Sequence, residues 1–451
     1  MEIQARLIDA LGQAAVATWD SIDHELQRQI ESALALSGTS SDAKESLPAC
    51  LVSPGTTVAL GQVMALAAEN GWRVLPMGAG SKLGWGGLAE GADIALSTAR
   101  LNRVMEHAVG DFTVTVESGM RFADLQALLA EQRQFLAVDP AFAATATVGG
   151  IVATADAGSL RQRYGGLRDM LIGVQFVRYD GEVARAGGRV VKNVAGYDLM
   201  KLMTGAYGSL GILSELTFRL YPVQAASRTI VLSGSVQAVA QAITEVRMSG
   251  LTPIALDLTL ADTAAALMAG LTPSAPTSHM ALIARFQGIS AGVEEQTERL
   301  QKVGKFHSLD YQQLEGEADT AFWRRVSGLI EPHTVLCKVG MRPSALPALL
   351  TLLEKFAASG CKGLAHSSSG LGWVQWKRGE GIETLKAEIE EVRSHCQNNG
   401  GFLTVLQAPV ALKQSMDVWG YRGTALKVMG DIKAKFDPQR LLSPGRFVGG
   451  L

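Results

Sequence analysis

Residues 76–84 read Pro-Met-Gly-Ala-Gly-Ser-Lys-Leu-Gly, and they follow a short apolar run that predicts a strand ending at Pro76. Glycines allow successive backbone N–H groups to converge on an anion, and the hydroxyl of Ser81 adds a donor. The stretch fits a phosphate-binding loop, with a plain surface turn as the alternative. It is not a Rossmann fingerprint, because the third glycine falls one position late, and it lacks the Gly-Lys-Ser/Thr ending of a P-loop.

Glycine is over-represented in the whole chain, at 49 of 451 residues. Its clusters lie at residues 78–91, 149–150, 158–188 and 196–211. Clustered glycines indicate either a turn-rich β domain or backbone that lies close to a bound molecule. Four clusters within one region favour a large ligand lying on the backbone.

Composition excludes several classes of protein. Hydrophobic residues make up 47% and charged residues 19% of the chain, which is typical of a packed globular protein rather than a disordered one. The formal net charge is −2, with lysine and arginine spread along the sequence. Because a phosphate backbone requires a basic surface, we expect no nucleic-acid partner.

The cysteines and the N-terminal region bear on the compartment. Cys50, Cys337, Cys361 and Cys396 are isolated, so close pairs for an iron–sulfur cluster or a zinc site are missing. We interpret them as buried thiols rather than disulfide partners. The sequence shows neither the apolar core of a signal peptide nor a transmembrane segment. We therefore expect a cytoplasmic protein, peripheral to a membrane only through partners.

The length predicts two or three domains. The pattern of helices and strands predicts a helical arm over residues 1–48 and a glycine-rich domain over residues 49–222. An open-sheet α+β cap domain, covered by helices on one face, is predicted over residues 223–400. A C-terminal segment over residues 401–451 is predicted to return to the glycine-rich domain.

Four collinear blocks resemble the vanillyl-alcohol oxidase (PCMH-type) FAD-binding family. Residues 76–82 match the family's P-x-G-x-G-[ST]-x loop, which cradles the FAD pyrophosphate. Residues 146–150 match an A-T-x-G-G turn, residues 164–169 match Y-G-x-x-R-D, and residues 205–212 match G-x-x-G-x-L-G-I. The tail is similar to the family's F-D-P…N-P-G-[KR] ending, with Ser443 where asparagine is usual.

The resemblance implies an α+β fold in which residues 49–222 are a two-subdomain PCMH-type FAD-binding domain. The only histidine or cysteine between Cys50 and His279 is His107, whose context does not match that of a flavin-linked residue. FAD binding is therefore predicted to be non-covalent. The residues predicted to hold FAD are Pro76, Gly78, Ala79, Gly80, Ser81, Lys82, Gly84, Asp139, Pro140, Thr147, Gly149, Gly150, Gly158, Tyr164, Arg168, Asp169, Gly205, Gly211 and Ile212.

A narrower resemblance concerns residues 190–202, which are similar to the E subunit of glycolate oxidase/dehydrogenase. It implies a small 2-hydroxy acid as substrate. It also implies two protein partners, a sister flavoprotein subunit and an iron–sulfur subunit. This match covers residues 50–221 well and the cap poorly.

Oxidation of a 2-hydroxy acid by a flavin requires a cation for the carboxylate, a base near the hydroxyl and positive charge beside the flavin. Lys192, Tyr197, His366 and Arg446 are the candidate catalytic residues. Each has a structural alternative. In these alternatives, Lys192 would form a surface ion pair with Asp198, and Tyr197 would be a packed ring. His366 would be a hydrogen-bonded loop histidine, and Arg446 would close the domain.

Two further patterns have weaker implications. Related D-lactate-type dehydrogenases carry a metal site with paired histidines, but residues 366–373 lack the second histidine, so no metal is predicted. Arg161, Arg163 and Arg168 form a positive patch, which fits a partner, the pyrophosphate, a carboxylate or only solvent.

Three functions therefore remain open. The leading one is the FAD-binding subunit of a 2-hydroxy-acid (glycolate-type) dehydrogenase complex. The second is a non-catalytic FAD-binding or scaffold subunit of that complex. The third is a free-standing FAD-linked alcohol or hydroxy-acid oxidase.

Overall fold

The structure, a computed structural model, describes residues 2–35, 47–189, 196–272, 279–377 and 381–451. Within these residues, 19 strands form four sheets, which are divided between an N-terminal unit and a cap unit. The α+β fold expected from the sequence is confirmed. The described helices include none that is both long and apolar enough to cross a membrane.

The first sheet of the N-terminal unit has four strands. Its elements and the helices around it are α1 (Glu2–Leu11), β1 (Val16–Thr18), α2 (His24–Glu31), β2 (Cys50–Val52), α3 (Thr57–Asn70), β3 (Val74–Met77) and β4 (Ile94–Ser97). The strand order is β1-β2-β4-β3, with β1 antiparallel to its neighbour and the others parallel. Thr56 caps the start of α3, and Gly71, at φ 69°, ends it, so β3 can begin at Val74; β3 ends at Met77, one residue beyond the predicted end at Pro76.

The predicted helical arm is also part of this sheet. It contributes β1, which pairs with β2, because Val16 and Ala15 are buried in the same core as Val52. Leu7 of α1 and Ile30 of α2 are fully buried. The arm is therefore packed into the N-terminal unit rather than projecting from it.

The second sheet of the N-terminal unit is antiparallel and has five strands. It comprises β5 (Val104–Ala108), β6 (Thr113–Glu117), β8 (Leu171–Val177), β9 (Val183–Gly187) and β10 (Ile212–Arg219), in the order β5-β6-β10-β8-β9. A small ribbon joins β7 (Gln134–Phe135) to β11 (Tyr221–Pro222). The helices are α4 (Phe122–Glu131), α5 (Val148–Thr154), α6 (Arg161–Tyr164), α7 (Leu167–Met170) and α8 (Leu199–Met203).

The cap unit is built on one antiparallel sheet of eight strands. Its elements are β12 (Ala226–Gly234), α9 (Val236–Met248), β13 (Ala255–Leu260), α10 (Ala261–Met268), β14 (Met280–Gly288), α11 (Ser290–Phe306), β15 (Asp310–Glu315), α12 (Gly316–Ser327), β16 (Val335–Gly340), α13 (Leu346–Glu354), β17 (Lys362–His366), β18 (Leu371–Trp376), α14 (Ile382–Asn398) and β19 (Phe402–Gln407). The strand order is β15-β12-β14-β13-β17-β18-β16-β19.

This sheet is covered on both faces, whereas the sequence predicted cover on one. Alternate residues of a strand point to opposite faces, so Leu232 enters a core with α9, α11, α13 and α14. Its neighbour Val231 enters a second core with α10 and α12. Helices cover only part of that second face, because Lys338, His366 and Trp373 line a cavity shared with the N-terminal unit.

The C-terminal segment contains α15 (Val410–Gln414) and α16 (Leu426–Phe436) and ends against β3. The backbone N–H of Val74 donates to the carbonyl of Leu441 at 2.8 Å, and that of Ser443 donates to the carbonyl of Val74 at 3.0 Å. The return to the N-terminal unit begins after Val418 rather than at residue 401, because β19 pairs with β16 in the cap sheet and Leu412 and Val418 are buried in the cap core.

A buried ion pair attaches the C-terminal segment to the N-terminal unit. Lys433 of α16 donates to the carboxylate of Asp437 at 2.6 Å and to the carbonyls of Ser209 and Leu442 at 2.8 and 2.9 Å. Asp437, fully buried, also accepts from the backbone N–H groups of Leu441 and Leu442. The pair therefore joins α16, the end of the tail and the N-terminal unit.

We predict that Asp437→Asn lowers the free energy of unfolding by about 3–5 kcal/mol, because it leaves the Lys433 ammonium buried without its counter-ion. Denaturant unfolding followed by fluorescence measures this loss. The matched control is Asp431→Asn on the same helix, whose partner Lys427 is exposed. That change is expected to cost no more than about 1 kcal/mol. Equal effects of the two substitutions would contradict the role assigned to the buried pair.

Candidate functional site

The predicted phosphate-binding loop lies at the wall of a cavity of about 790 Å³, partly open to solvent, in the N-terminal unit. We call it the loop cavity. It is formed by the C-terminal end of β3, the N-terminal half of α5 and the start of β10. Of the predicted site residues, it is lined by Pro76, Gly78, Ala79, Gly80, Ser81, Lys82, Thr147, Gly149, Gly150, Gly211, Ile212 and Arg446.

Glycine is required at the loop because other chain segments approach it closely. A Cβ atom at Gly78 would overlap the side chain of Thr147. Gly80 has φ 83°, in the left-handed region that favours glycine. The hydroxyl of Thr147 is fixed in turn, because it accepts from the N–H of Gly150 at 3.2 Å as the N-cap of α5.

Three observations indicate that the loop cavity can hold a flavin dinucleotide. Glycine backbone lines it on two sides, from the loop and from Gly149 and Gly150. Two buried cations, Lys82 and Arg446, contribute to its wall, which suits an anionic ligand. Nε of Arg446 is buried and has no hydrogen-bond partner in the part of the chain that is described.

The sequence missed a further set of cavity residues. Most come from segments outside the matched blocks, so no local signal marked them, whereas Ala206, Tyr207 and Gly208 lie within the matched block at residues 205–212 and were not predicted as contacts. The missed residues are Thr98, Ser118, Ala153, Thr154, Met203, Ala206, Tyr207, Gly208 and Leu213.

Several predicted residues lie away from the loop cavity. Tyr164 packs against the rings of Phe135 and Tyr221, with centroids 5.7 and 4.7 Å away. Asp169 accepts from the N–H of Gly166 at 2.8 Å, at the start of α7.

The remaining predicted residues have other positions. Arg168 is exposed, and Tyr197 is 91% exposed. Gly205 adopts φ 82° and its N–H donates to the carbonyl of Val152. The carbonyl of Gly84 accepts from Lys413. Lys192 lies outside the described residues.

A second cavity, of about 830 Å³, lies between the N-terminal unit and the cap unit. We call it the interdomain cavity. Asp139, Pro140 and Gly158, predicted as FAD contacts, line this cavity instead, and so does the predicted catalytic residue His366. Thr154 lines both cavities, so the two adjoin.

A hydrogen-bonded chain crosses the boundary between the units at this cavity. His366 and Asp257 lie opposite each other on β17 and β13, and Nδ1 of His366 is 2.7 Å from Oδ1 of Asp257. The other oxygen of Asp257 accepts from the hydroxyl of Ser159, in the N-terminal unit, at 2.5 Å. All three residues are buried. His366 is therefore a strand residue whose ring is held in one orientation. Because Nδ1 is bound to Asp257, Nε2 is the ring nitrogen that can exchange a proton with a substrate.

Burial and charge shift the pKa values of the acids and bases here. Burial alone lowers the pKa of His366, but the charge and hydrogen bond of Asp257, with the charge of Asp139, outweigh it and raise that pKa. Burial raises the pKa of Asp139 to about 7. Shifted carboxylate and imidazole groups that share a cavity are typical of active sites, although structural ion pairs also produce them.

Two cations face the same cavity. Lys338 lies opposite Trp373 on neighbouring cap strands, so it shares a sheet face with His366. Arg161 comes from α6 of the N-terminal unit. Within the described ranges neither forms an ion pair or hydrogen bond, and burial lowers the pKa of Lys338. The pair therefore offers a site for a small anion.

Lys82 connects the walls of the two cavities. It lines the loop cavity, yet its Nζ donates to the carbonyl of Ala141 at 2.7 Å and lies 3.4 Å from Oδ2 of Asp156. Oδ2 of Asp156 also accepts from the N–H of Ala141 at 2.8 Å. Ala141 and Asp156 both line the interdomain cavity. Lys82 thus fixes the segment that follows Asp139.

We predict that Gly78→Ala weakens FAD binding by about tenfold or more, because the new methyl group overlaps Thr147 and displaces the loop. Titration of the apoprotein with FAD, followed by flavin fluorescence, measures the affinity. Gly110→Ala is the matched control, since a Cβ there meets open space. Unchanged FAD affinity in the Gly78 variant would contradict the assignment of this loop to FAD binding.

The family comparison matches residues 48–187 to the FAD binding domain. The chain is similar to glycolate oxidase subunit GlcD of Bacillus subtilis (strain 168), at 25% identity over 89% of each chain. It is similar to D-lactate dehydrogenase of Anaerostipes hadrus, at 26% identity over 88% of this chain and 89% of the relative. Glycolate oxidase subunit GlcE of Escherichia coli (strain K12) is 36% identical over 136 residues, which are 30% of this chain and 39% of that one.

The fold is also that of a solved flavoenzyme. The structure of p-cresol methylhydroxylase with substrate bound superimposes with a TM-score of 0.73, over 99% of this chain and 96% of that one, at 16% identity. The resemblance noted from the sequence is confirmed, and so is FAD as the cofactor. Residues 48–187 are therefore an FAD binding domain, and the chain as a whole has the fold of p-cresol methylhydroxylase.

Proposed function

We propose that this protein oxidises a small 2-hydroxy acid in the interdomain cavity while FAD is held non-covalently in the loop cavity. The observation that carries the proposal is the position of the His366–Asp257 pair in the same cavity as Lys338 and Arg161. The names of the relatives, glycolate oxidase subunit and D-lactate dehydrogenase, support this substrate class.

The two cations suit the carboxylate of such an acid. Lys338 provides a flexible point charge from the cap, and Arg161 provides a planar donor from the N-terminal unit. A carboxylate between them would interact with two buried or half-buried charges that form no ion pair among the described residues; the charge of Asp156, in the same cavity, also acts on Lys338. The apolar side chains of Leu336, Leu406 and Trp373 also line the cavity, and they restrict water around the substrate.

His366 is the proposed base for the hydroxyl proton. Its Nδ1 is held by Asp257, so Nε2 accepts the proton and Asp257 stabilises the imidazolium that results. Ser159 fixes the carboxylate of Asp257 and thereby the orientation of the ring. FAD, when bound, supplies the acceptor for the hydride from the carbinol carbon.

The cofactor is proposed to be non-covalent because the described residues lining the loop cavity include neither histidine nor cysteine. We further propose that the chain works as a subunit, with a sister flavoprotein and an iron–sulfur subunit as partners. The subunit names of the GlcD and GlcE relatives support this arrangement.

We predict that anaerobic addition of glycolate or D-lactate bleaches the flavin absorption, whereas ethylene glycol and 1,2-propanediol, which lack the carboxylate, do not. Lys338→Met should raise the half-saturating acid concentration by about tenfold or more, since it removes a charge-assisted contact. Bleaching only after the partner subunits are added would support the subunit role. No bleaching by any 2-hydroxy acid, with or without partners, would refute the proposal.

We predict that His366→Gln slows flavin reduction by about 10²–10⁴-fold, the usual loss on removing a general base, with little change in FAD affinity. Because Asp257 raises the pKa of His366, protonated imidazole persists to higher pH, and the reduction rate falls as the pH drops through that raised pKa. Asp257→Asn should move this acid limb to lower pH. Stopped-flow reduction across pH measures both effects.

The control for these variants is His333→Gln, because the His333 side chain is 61% exposed and is not among the residues that line the cavity. It should leave the reduction rate unchanged. If the flavin of the His366→Gln variant were reduced as fast as that of this control, His366 would not be the base.

A further inference from the structure

Two buried cations from the C-terminal segment bind the turn formed by residues 83–86, which we call the wall turn. Nζ of Lys413 donates to the carbonyls of Gly84 and Gly86 at 2.5 and 2.6 Å, and to that of Leu406 at 3.2 Å. The guanidinium of Arg446 donates to the remaining two carbonyls of the turn, those of Leu83 and Trp85. Every carbonyl of the wall turn therefore accepts from a cation.

Neither charge is neutralised by an acidic side chain within the described residues. Lys413 and Arg446 are each 4% exposed, and their hydrogen bonds are to backbone carbonyls. Carbonyl dipoles compensate part of the cost of burying a cation, but its net charge remains. Such a charge persists in a fold at a considerable cost in stability, so it points to a second role.

The wall turn lies between the two cavities. Leu83 and Arg446 line the loop cavity, whereas Trp85 and Leu406 line the interdomain cavity. For FAD in the first cavity to react with a substrate in the second, its reacting ring must reach the junction beside this turn. The net charge of the two cations is therefore closest to the part of FAD that becomes more negative on reduction.

We propose that Lys413 is a positioning residue for flavin chemistry, fixing the wall turn and, together with Arg446, raising the reduction potential of bound FAD by its buried positive charge. The proposal rests on FAD in the loop cavity and on the interdomain cavity as the substrate side. It does not depend on which acid is oxidised.

The test compares Lys413→Met, which removes the charge, with Lys413→Arg, which keeps it. The midpoint potential of bound FAD is measured without substrate by dye-linked reduction at pH 6. This pH is chosen because burial, together with the charge of Arg446, lowers the pKa of Lys413 to about 7. FAD affinity is measured separately for each variant. Lys362→Met, which removes a partly exposed lysine paired with Glu331 in the cap, is the control.

We expect Lys413→Met to lower the two-electron equilibrium constant about tenfold, a shift of about 30 mV to more negative potential. Lys413→Arg and Lys362→Met should leave the potential unchanged. An unchanged potential in Lys413→Met, or equal shifts in the Met and Arg variants, would overturn the proposal. If Lys413→Met does not fold, Lys413→Gln, which still donates to the carbonyls, replaces it with the same expectation. Since no substrate is used, failure here is distinct from failure of the hydroxy-acid assignment.

Discussion

The carboxylate of Asp257 is a buried contact that joins the two units and orients the imidazole of His366. It binds His366 on the neighbouring cap strand and accepts from Ser159, which belongs to the N-terminal unit. Because the carboxylate is buried, loss of either partner would leave polar groups without compensation. One buried group therefore fixes the docking of the cap and the orientation of the imidazole at the same time.

The part of the site that depends on local backbone geometry was predictable. Gly78, Gly80 and Gly149 are required where the chain approaches another segment or adopts a positive φ, and such requirements are written in consecutive residues. Ser443, where relatives usually carry asparagine, has φ 46°, a conformation that asparagine tolerates well. The family resemblance and the backbone geometry therefore agree at this position.

The rest of the site depends on strand register and could not be derived from local patterns. Lys338 faces the interdomain cavity because β16 pairs with β18 in one register, and a shift by one residue would turn it to the other face. Lys413 contacts residues more than 300 positions away in the sequence. Asp139, which the resemblance predicted as an FAD contact, has its side chain in the lining of the interdomain cavity.

The division of labour between the two units has an evolutionary consequence. Most of the loop cavity is encoded in the N-terminal unit, where the family match over residues 48–187 lies, whereas Lys338, Asp257 and His366 are encoded in the cap. Under the proposed function, mutations in the cap can therefore alter substrate choice while the FAD-binding loop stays intact. A fold of this kind can acquire new substrates through changes in the cap unit while the FAD-binding N-terminal unit is retained.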